Sequence, residues 1–143
     1  MSIISFNYAD VKPISLPSKT ALKTFIESLF KKEKKKLKQL SYIFCSDEYL
    51  LQINKDFLQH DYYTDIITFD LSDSNETVGE VYISVDTVRD NAKEHRVPVK
   101  DELHRVIFHG ALHLCGYGDK KKSEITIMRG KEDYYLQLLK QNS

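Results

Sequence analysis

The order of strand-like and helix-like sequence along the chain is what most restricts its fold. Four segments show the alternation, or the β-branched and aromatic content, that is typical of strands. They are Ile3–Tyr8, Leu40–Ser46, Ile66–Leu71 and Val78–Val85. Helical periodicity dominates the sequence after them. This segregation predicts an α+β fold, with one domain over residues 1–143 in which a small, mostly four-stranded sheet packs with about five helices.

The first predicted helix follows Pro17 and Ser18 and continues into a lysine-rich run, Lys31–Lys38. Its apolar stripe consists of Leu22, Phe25, Ile26, Leu29 and Phe30. Lysines at a helix end fit a solvated surface and interact favourably with the helix dipole. The alternative is that the run contributes contacts to phosphate groups.

Two aspartates are predicted to cap short helices, because a carboxylate can accept the N–H groups of the first helical turn. Asp47 would cap a helix through Ile53 and Phe57, and Asp86 a helix toward His95.

The sequence after Pro98 predicts two longer helices. The first opens at Asp101, ends at Gly116 and has a regular apolar stripe: Leu103, Val106, Ile107, Ala111 and Leu114. The last helix is predicted over Ser123–Leu139, with Ile127, Tyr134, Tyr135, Leu138 and Leu139 as its apolar residues.

Charge and cysteine content exclude several classes of protein. The 143 residues include 21 Lys and Arg and 21 Asp and Glu, so the formal net charge is zero. That balance argues against a generic polycationic nucleic-acid binder, although lysines gather at 31–38 and 120–122. Two cysteines do not form a disulfide framework, and the sequence shows neither a signal peptide nor an apolar run that could span a membrane. We therefore expect a cytoplasmic protein with no membrane partner.

The segment from His109 to Asp119 has the spacing of a metal site at the end of a central helix. His109 and His113 are four residues apart, so a helix presents both imidazoles on one side. Gly116 permits a sharp left-handed exit, after which Asp119 can supply a third ligand. Two imidazoles and a carboxylate suit Zn²⁺ and leave a fourth position for water. The same set would also bind Ni²⁺, Fe²⁺ or Co²⁺.

Neighbouring residues narrow the site and its chemistry. Cys115 lies about 200° around the helix from His113, and His104 about 140° from His109, so neither is predicted to be a ligand. Zinc peptidases of the His-Glu-x-x-His type need a Glu where this chain has Gly110, which disfavours peptide hydrolysis. A metal-bound water remains a competent nucleophile for a phosphodiester bond. No other catalytic residue is assigned.

The run from Phe108 to Tyr117 resembles the signature of the YbeY family of metal-dependent endoribonucleases, also called rRNA maturation factors. Other blocks are similar in the same order: Asn54-x-x-Phe57, Thr64–Phe69, Gly79–Ser84, Glu102–Val106, and Met128 with Glu132. The resemblance covers about residues 40–135.

This resemblance implies a single-domain α+β fold with a zinc ion held by His109, His113 and Asp119. It implies hydrolysis of single-stranded RNA, maturation of the 3′ end of small-subunit ribosomal RNA, and ribosome quality control. The implied partners are rRNA and the ribosome or ribosome-associated proteins. The family usually has a third His at the position of Asp119, and the carboxylate should leave the bound water less acidic than an imidazole would.

Many members have an Arg at the position of Leu58, where it is thought to act in RNA cleavage or binding. Arg105, Lys120 and Lys121 are candidates to contact RNA in its place. Two alternatives stay open: an RNA- or ribosome-binding assembly factor whose metal is mainly structural, and a metallohydrolase of another bond, such as an amide.

Four polar residues before the predicted metal helix have simpler interpretations. Thr64, Asp65 and Thr68 are expected to order a strand end, and His60 to lie in a surface loop. The sequence does not predict an oligomeric state.

Overall fold

A computed structural model of the chain describes residues 3–14, 16, 18–58 and 65–141. The strands β1 to β4 are Ile3–Tyr8, Lys36–Cys45, Ile66–Asp70 and Glu76–Ser84. The helices α1 to α5 are Lys19–Lys32, Asp47–Ile53, Val85–His95, Val99–Leu114 and Lys122–Gln141. A π-helical turn, Asn54–Leu58, follows α2. The prediction of an α+β fold with a four-stranded sheet and about five helices is confirmed.

The strands form one sheet in the order β1-β2-β4-β3. Strand β2 is parallel to both of its neighbours, and β3 is antiparallel to β4. Tyr42 in the middle of β2 pairs with Phe6 on one side and Val81 on the other. Parallel neighbours require crossover connections, and α1 and the segment containing α2 and β3 provide them.

The main core lies between one face of the sheet and the helices α1 and α4. Leu40, Tyr42 and Phe44 alternate along β2 and are fully buried on this face. All five residues of the predicted α1 stripe are also buried. Below them, the Tyr42 hydroxyl donates a 2.9 Å hydrogen bond to the carbonyl oxygen of Ile107 in α4. A smaller cluster under α2 covers part of the opposite face of the sheet: Cys45, Leu50, Ile53 and Ile67.

The interpretation of the lysine-rich run as a helix end holds only for its first two residues. Helix α1 ends at Lys32, and Lys34 adopts a left-handed conformation with φ of 60°. The chain then turns, and Lys36 already pairs with Glu76 as the first residue of β2. The strand therefore begins four residues before the predicted Leu40, because backbone pairing with β4 continues through the polar sequence.

Serine residues, not the predicted aspartates, cap α2 and α3. The Ser46 hydroxyl accepts from the Tyr49 N–H, and the Ser84 hydroxyl accepts from the Thr87 N–H. Asp47 is the first residue of α2, and its carboxylate instead accepts from the hydroxyl of Ser84. The caps are displaced because that carboxylate joins the two helix starts to each other.

Asp86 is likewise inside its helix, and its carboxylate accepts a 3.0 Å hydrogen bond from the Asp47 N–H. Helix α4 also begins earlier than predicted, with Pro98 as its N-cap and Asp101 in the first turn. Its end is as predicted, since Gly116 follows the C-cap with φ of 107°.

The predicted apolar face of α5 was partly wrong. Ile127 and Tyr134 are 54% and 49% exposed, whereas Tyr135 is buried as expected. The buried face of α5 consists of Met128, Glu132 and Tyr135. It contains an acid because the helix packs against polar groups of α1 and α4 as well as against the apolar core.

Within the part of the chain that the structure describes, no helix combines the length and the apolar character that a membrane crossing requires.

Gly110 brings α4 close to the sheet and leaves no space for a larger side chain at this position. A Cβ atom at this position would lie 2.7 Å from Cγ1 of Val81, which is fully buried. Gly110→Ala should therefore lower the free energy of unfolding by about 1–3 kcal/mol through overpacking, measured by urea denaturation.

Gly130→Ala is the matched control, because a Cβ atom there would meet nothing within 4 Å. That change in α5 should leave the stability unchanged or raise it by up to about 1 kcal/mol. Equal stabilities of the two variants would show that α4 does not depend on a close contact at Gly110.

Candidate metal centre

Helix α4 holds His109 and His113 on the side that faces away from the main core. The two residues are one helical turn apart, and their ring centroids are separated by 4.6 Å with the planes at 82°. Their side chains are 17% and 25% exposed. Residues on the other side of the same turns, such as Ile107 and Ala111, are fully buried. The periodicity of the helix thus separates a packing face from a polar face.

The loop after α4 brings Asp119 to the two histidines. Oδ2 of Asp119 lies 3.2 Å from Nε2 of His109 and 3.3 Å from Nε2 of His113. Gly116 makes this return possible because its φ of 107° is strained for residues with a side chain. The structure therefore brings together the three residues that the sequence predicted as metal ligands.

The donor set fits a divalent transition-metal ion. One potential ligand atom from each of His109, His113 and Asp119 lies within 4.8 Å of the others. His109 and Asp119 border a cavity of about 210 Å³, and Asp119 is 39% exposed. Two imidazole nitrogens and a carboxylate oxygen are ordinary ligands of Zn²⁺ and related ions.

Glu132 of α5 orients His109 by a hydrogen bond to Nδ1, the ring nitrogen that does not face Asp119. Its Oε2 lies 2.7 Å from Nδ1 of His109, and its side chain is only 4% exposed. A carboxylate has only acceptors, so Nδ1 is the donor, and the neutral imidazole then has its lone pair on Nε2, which lies toward Asp119. Such carboxylate–histidine pairs commonly support metal ligands. In the sequence, Glu132 matches an acidic position of the family that it resembles, but no role in metal binding was predicted for it.

Other carboxylates make the site electrostatically attractive to a cation. Burial raises the pKa of Asp65 and of Glu102, which both border the cavity. Burial also lowers the pKa of His109, but the hydrogen bond to Glu132 and the surrounding carboxylates raise it by more. Negative charge around His109 therefore favours a positively charged species at this position.

The residues predicted to contact RNA lie in different environments. Arg105 is 22% exposed and donates to Glu132 at 2.9 Å and to Asp133 at 2.7 Å. Lys120 and Lys121 are exposed just before α5, where their backbone N–H groups bond Glu124. Arg105 borders the cavity, and neither lysine is among its described lining residues. The side chain of Leu58 lies outside the described part of the chain.

A second buried acid anchors the ligand-bearing loop. Glu33, at the end of α1, accepts a 2.6 Å hydrogen bond from the hydroxyl of Tyr117, two residues before Asp119. Tyr135 and Lys131 of α5 donate to the other oxygen of the same carboxylate. These bonds hold the pKa of Glu33 below its usual value despite its burial. The role of Glu33 was not found from the sequence, where it is one charge within a lysine run.

The two nearby residues that were not predicted to be ligands do not join the three converging side chains. Cys115 is buried, which raises the pKa of its thiol to about 12. The His104 ring stacks on Phe108 with 6.2 Å between centroids.

The polar residues before α4 have mixed outcomes. His60 and Thr64 lie outside the described residues. The carbonyl oxygen of Asp65 accepts from the Ser84 N–H and so pairs the start of β3 with β4, while its side chain borders the cavity. Oγ1 of Thr68 is buried and, among the described residues, has no hydrogen-bond partner.

Comparisons with known proteins find similarity over nearly the whole chain. The family model described as Endoribonuclease YbeY matches residues 5–140. A relative with that description in Cytophaga hutchinsonii is 51% identical over 136 residues, covering 94% of this chain and 95% of the relative. Another in Flavobacterium psychrophilum is 44% identical over 142 residues, covering 98% of this chain and 100% of the relative. A solution structure of a Thermotoga maritima protein is similar with a TM-score of 0.64 and 29% identity, covering 94% of this chain and 87% of that one.

Replacing the acid behind His109 tests whether it supports metal binding. Glu132→Gln keeps the shape of the side chain but removes the charge that pairs with the imidazole. We expect the affinity for Zn²⁺ to fall by about 10–100-fold, measured by competition with a chromogenic chelator. Asp133→Asn is the control, because Asp133 also accepts from Arg105 but is 60% exposed. Equal zinc affinities in both variants would contradict the role of Glu132.

Tyr117 and Tyr135 both donate to Glu33, so their Phe variants form a matched pair that tests whether the bond from Tyr117 holds the loop that carries Asp119. Tyr117→Phe should lower zinc affinity by about tenfold, because the loop that carries Asp119 loses its hydrogen bond. Tyr135→Phe removes a hydroxyl from the same carboxylate but lies in α5, so zinc affinity should stay unchanged. Both variants should lose about 1 kcal/mol of stability. Loss of zinc affinity in neither variant, or equally in both, would argue against a specific role of the loop anchor.

Proposed function

The chain belongs to the YbeY family of endoribonucleases, and from this premise we propose that it is a metal-dependent endoribonuclease specific for single-stranded RNA. Its proposed role is maturation of the 3′ end of small-subunit ribosomal RNA and ribosome quality control, in the cytoplasm and with the ribosome or its associated proteins as partners. The observation that carries the metal dependence is the convergence of His109, His113 and Asp119 beside a surface cavity.

The proposed cofactor is one Zn²⁺ ion per chain, held by His109, His113 and Asp119. When bound, such an ion supplies a Lewis acid for the phosphate oxygens and lowers the pKa of a water molecule for hydrolysis of the phosphodiester bond. The protein's own part is positional. Glu132 fixes the tautomer of His109, and Gly116 with Tyr117 directs Asp119 toward the histidines.

Exposure of the ligands favours a catalytic over a purely structural metal. Structural zinc sites are usually closed by four protein ligands, whereas catalytic sites keep one position open. Among the described residues, one group of potential ligands converges here, and it has three members. Their side chains are 17–39% exposed, and His109 and Asp119 border the cavity, so a substrate phosphate can approach the same point.

Removing individual ligands tests this proposal. His113→Ala and Asp119→Ala should each lose bound metal and slow the cleavage of a single-stranded RNA by about a hundredfold or more, since the metal contributes several kcal/mol. Metal content is measured by mass spectrometry, and circular dichroism shows that the variants remain folded. Asp73→Ala, in the exposed turn before β4, is the control and should keep both properties.

Three outcomes would contradict parts of the proposal. A variant that loses its metal but cleaves RNA at the wild-type rate would exclude this site as the nuclease centre. Unfolding of the wild-type chain on chelation, with no cleavage by the metal-loaded form, would favour an assembly factor with a structural metal. Activity on a peptide panel but not on an unprocessed small-subunit rRNA would favour a metallohydrolase of amide bonds.

A further inference from the structure

The cavity beside the metal ligands is rich in acids, which raises the question of how it admits an anionic strand. Its described lining includes four carboxylates: Asp65, Glu102, Asp119 and Glu132. A phosphodiester that approaches them is repelled unless positive charge lies nearby. Even with a divalent ion in place, the carboxylates outnumber its charge. Among the described residues, the cationic side chains that line the cavity therefore decide where a phosphate can bind.

Arg105 lines the cavity but is poorly placed to bind a phosphate. Its guanidinium bonds both Glu132 and Asp133 within 2.9 Å, and its side chain is 22% exposed. Recruiting it to a substrate would break two short charged hydrogen bonds and leave Glu132 buried without a close partner on that side.

Arg129 is placed quite differently. It lies on α5 one turn before Asp133 and borders the same cavity as His109 and Asp119. Its side chain is 57% exposed, and its Nη1 contacts Oε1 of Glu132 only at 3.5 Å. The other nitrogens of this guanidinium face no carboxylate in the ion pairs of the described residues.

We propose that Arg129 binds a phosphate group of the RNA strand beside the metal ligands. The inference rests on the proposed endoribonuclease function and adds a substrate-binding residue to it. A guanidinium can donate two parallel hydrogen bonds to a phosphate, which fixes the position of the strand as well as attracting it. The 3.5 Å contact between Nη1 and Glu132 orients the Arg129 side chain, and the other N–H groups of the guanidinium remain available to a phosphate.

Binding measured apart from cleavage tests this assignment. The probe is a fluorescein-labelled, single-stranded 2′-O-methyl oligonucleotide, checked on a gel to remain intact with the zinc-loaded protein. Arg129→Ala should raise its Kd by about tenfold or more, as expected for loss of charged hydrogen bonds. The slope of log Kd against log salt should decrease in magnitude by about 0.7, the value for one phosphate contact on a single strand. Arg129→Lys should keep the slope and recover part of the affinity.

Two controls separate a phosphate contact from indirect effects. Arg89→Ala removes an exposed arginine of α3 outside this cavity and should change neither the Kd nor the slope. Zinc content and zinc affinity of Arg129→Ala should equal those of the wild type, which excludes an effect through Glu132 and His109.

The outcomes distinguish this inference from the proposed function. If the wild-type chain cleaves RNA but Arg129→Ala keeps the wild-type Kd and salt slope, the phosphate assignment is wrong and the proposed function stands. If Arg129→Ala binds RNA more weakly only to the extent that it loses zinc, the assignment is also wrong. If the zinc-loaded wild type neither binds nor cleaves single-stranded RNA, both proposals are overturned together.

Discussion

The close contact between Gly110 and Val81 fixes helix α4 on the sheet, and the candidate metal centre depends on it. Gly110 follows His109 directly, so the residue that approaches the sheet and the residue that faces the cavity are neighbours on one helical turn. A Cβ atom at position 110 would lie 2.7 Å from Cγ1 of Val81, so the packing of the helix that carries both histidines would have to change. The Tyr42 hydroxyl bond to Ile107 holds the helix on the same face of the sheet, from the neighbouring strand β2. In this fold, the geometry of the candidate ligands therefore depends on how α4 packs against the sheet.

Two buried carboxylates then connect that helix to distant parts of the chain. Glu132 reaches His109 from α5, and Glu33 reaches the ligand-bearing loop from the end of α1. Each is compensated by several donors, as a buried charge must be. Because these acids come from separate segments, the three ligands acquire their positions only when α1, α4 and α5 have all packed. Metal binding should accordingly stabilise the packed arrangement as a whole.

The features that could be predicted from the sequence are those that depend on the local periodicity of the residues. The α1 stripe, the four strands and the convergence of His109 and His113 follow from periods of two and 3.6 residues, which do not need the tertiary structure. The helix caps depend on partners instead. Asp47 fits a cap by composition, but its carboxylate is taken by Ser84 and the cap passes to Ser46. The roles of Glu33 and Glu132 depend on tertiary contacts too, because an acid in a polar run looks solvated until its partners are known.

The zero net charge of the chain conceals a local arrangement that bears on how RNA and metal would depend on each other. Without a cation, the carboxylates of the cavity oppose the approach of a phosphate, and Arg129 alone does not outweigh them. With a divalent ion on His109, His113 and Asp119, positive charge is concentrated at one point between two helices. In the proposed function, affinity for RNA would therefore rise when metal binds. By thermodynamic reciprocity, a bound strand would tighten the metal by the same factor. In the proposed function, the neutral chain would avoid indiscriminate binding to nucleic acid, because its attraction for phosphate would be greatest where the metal binds.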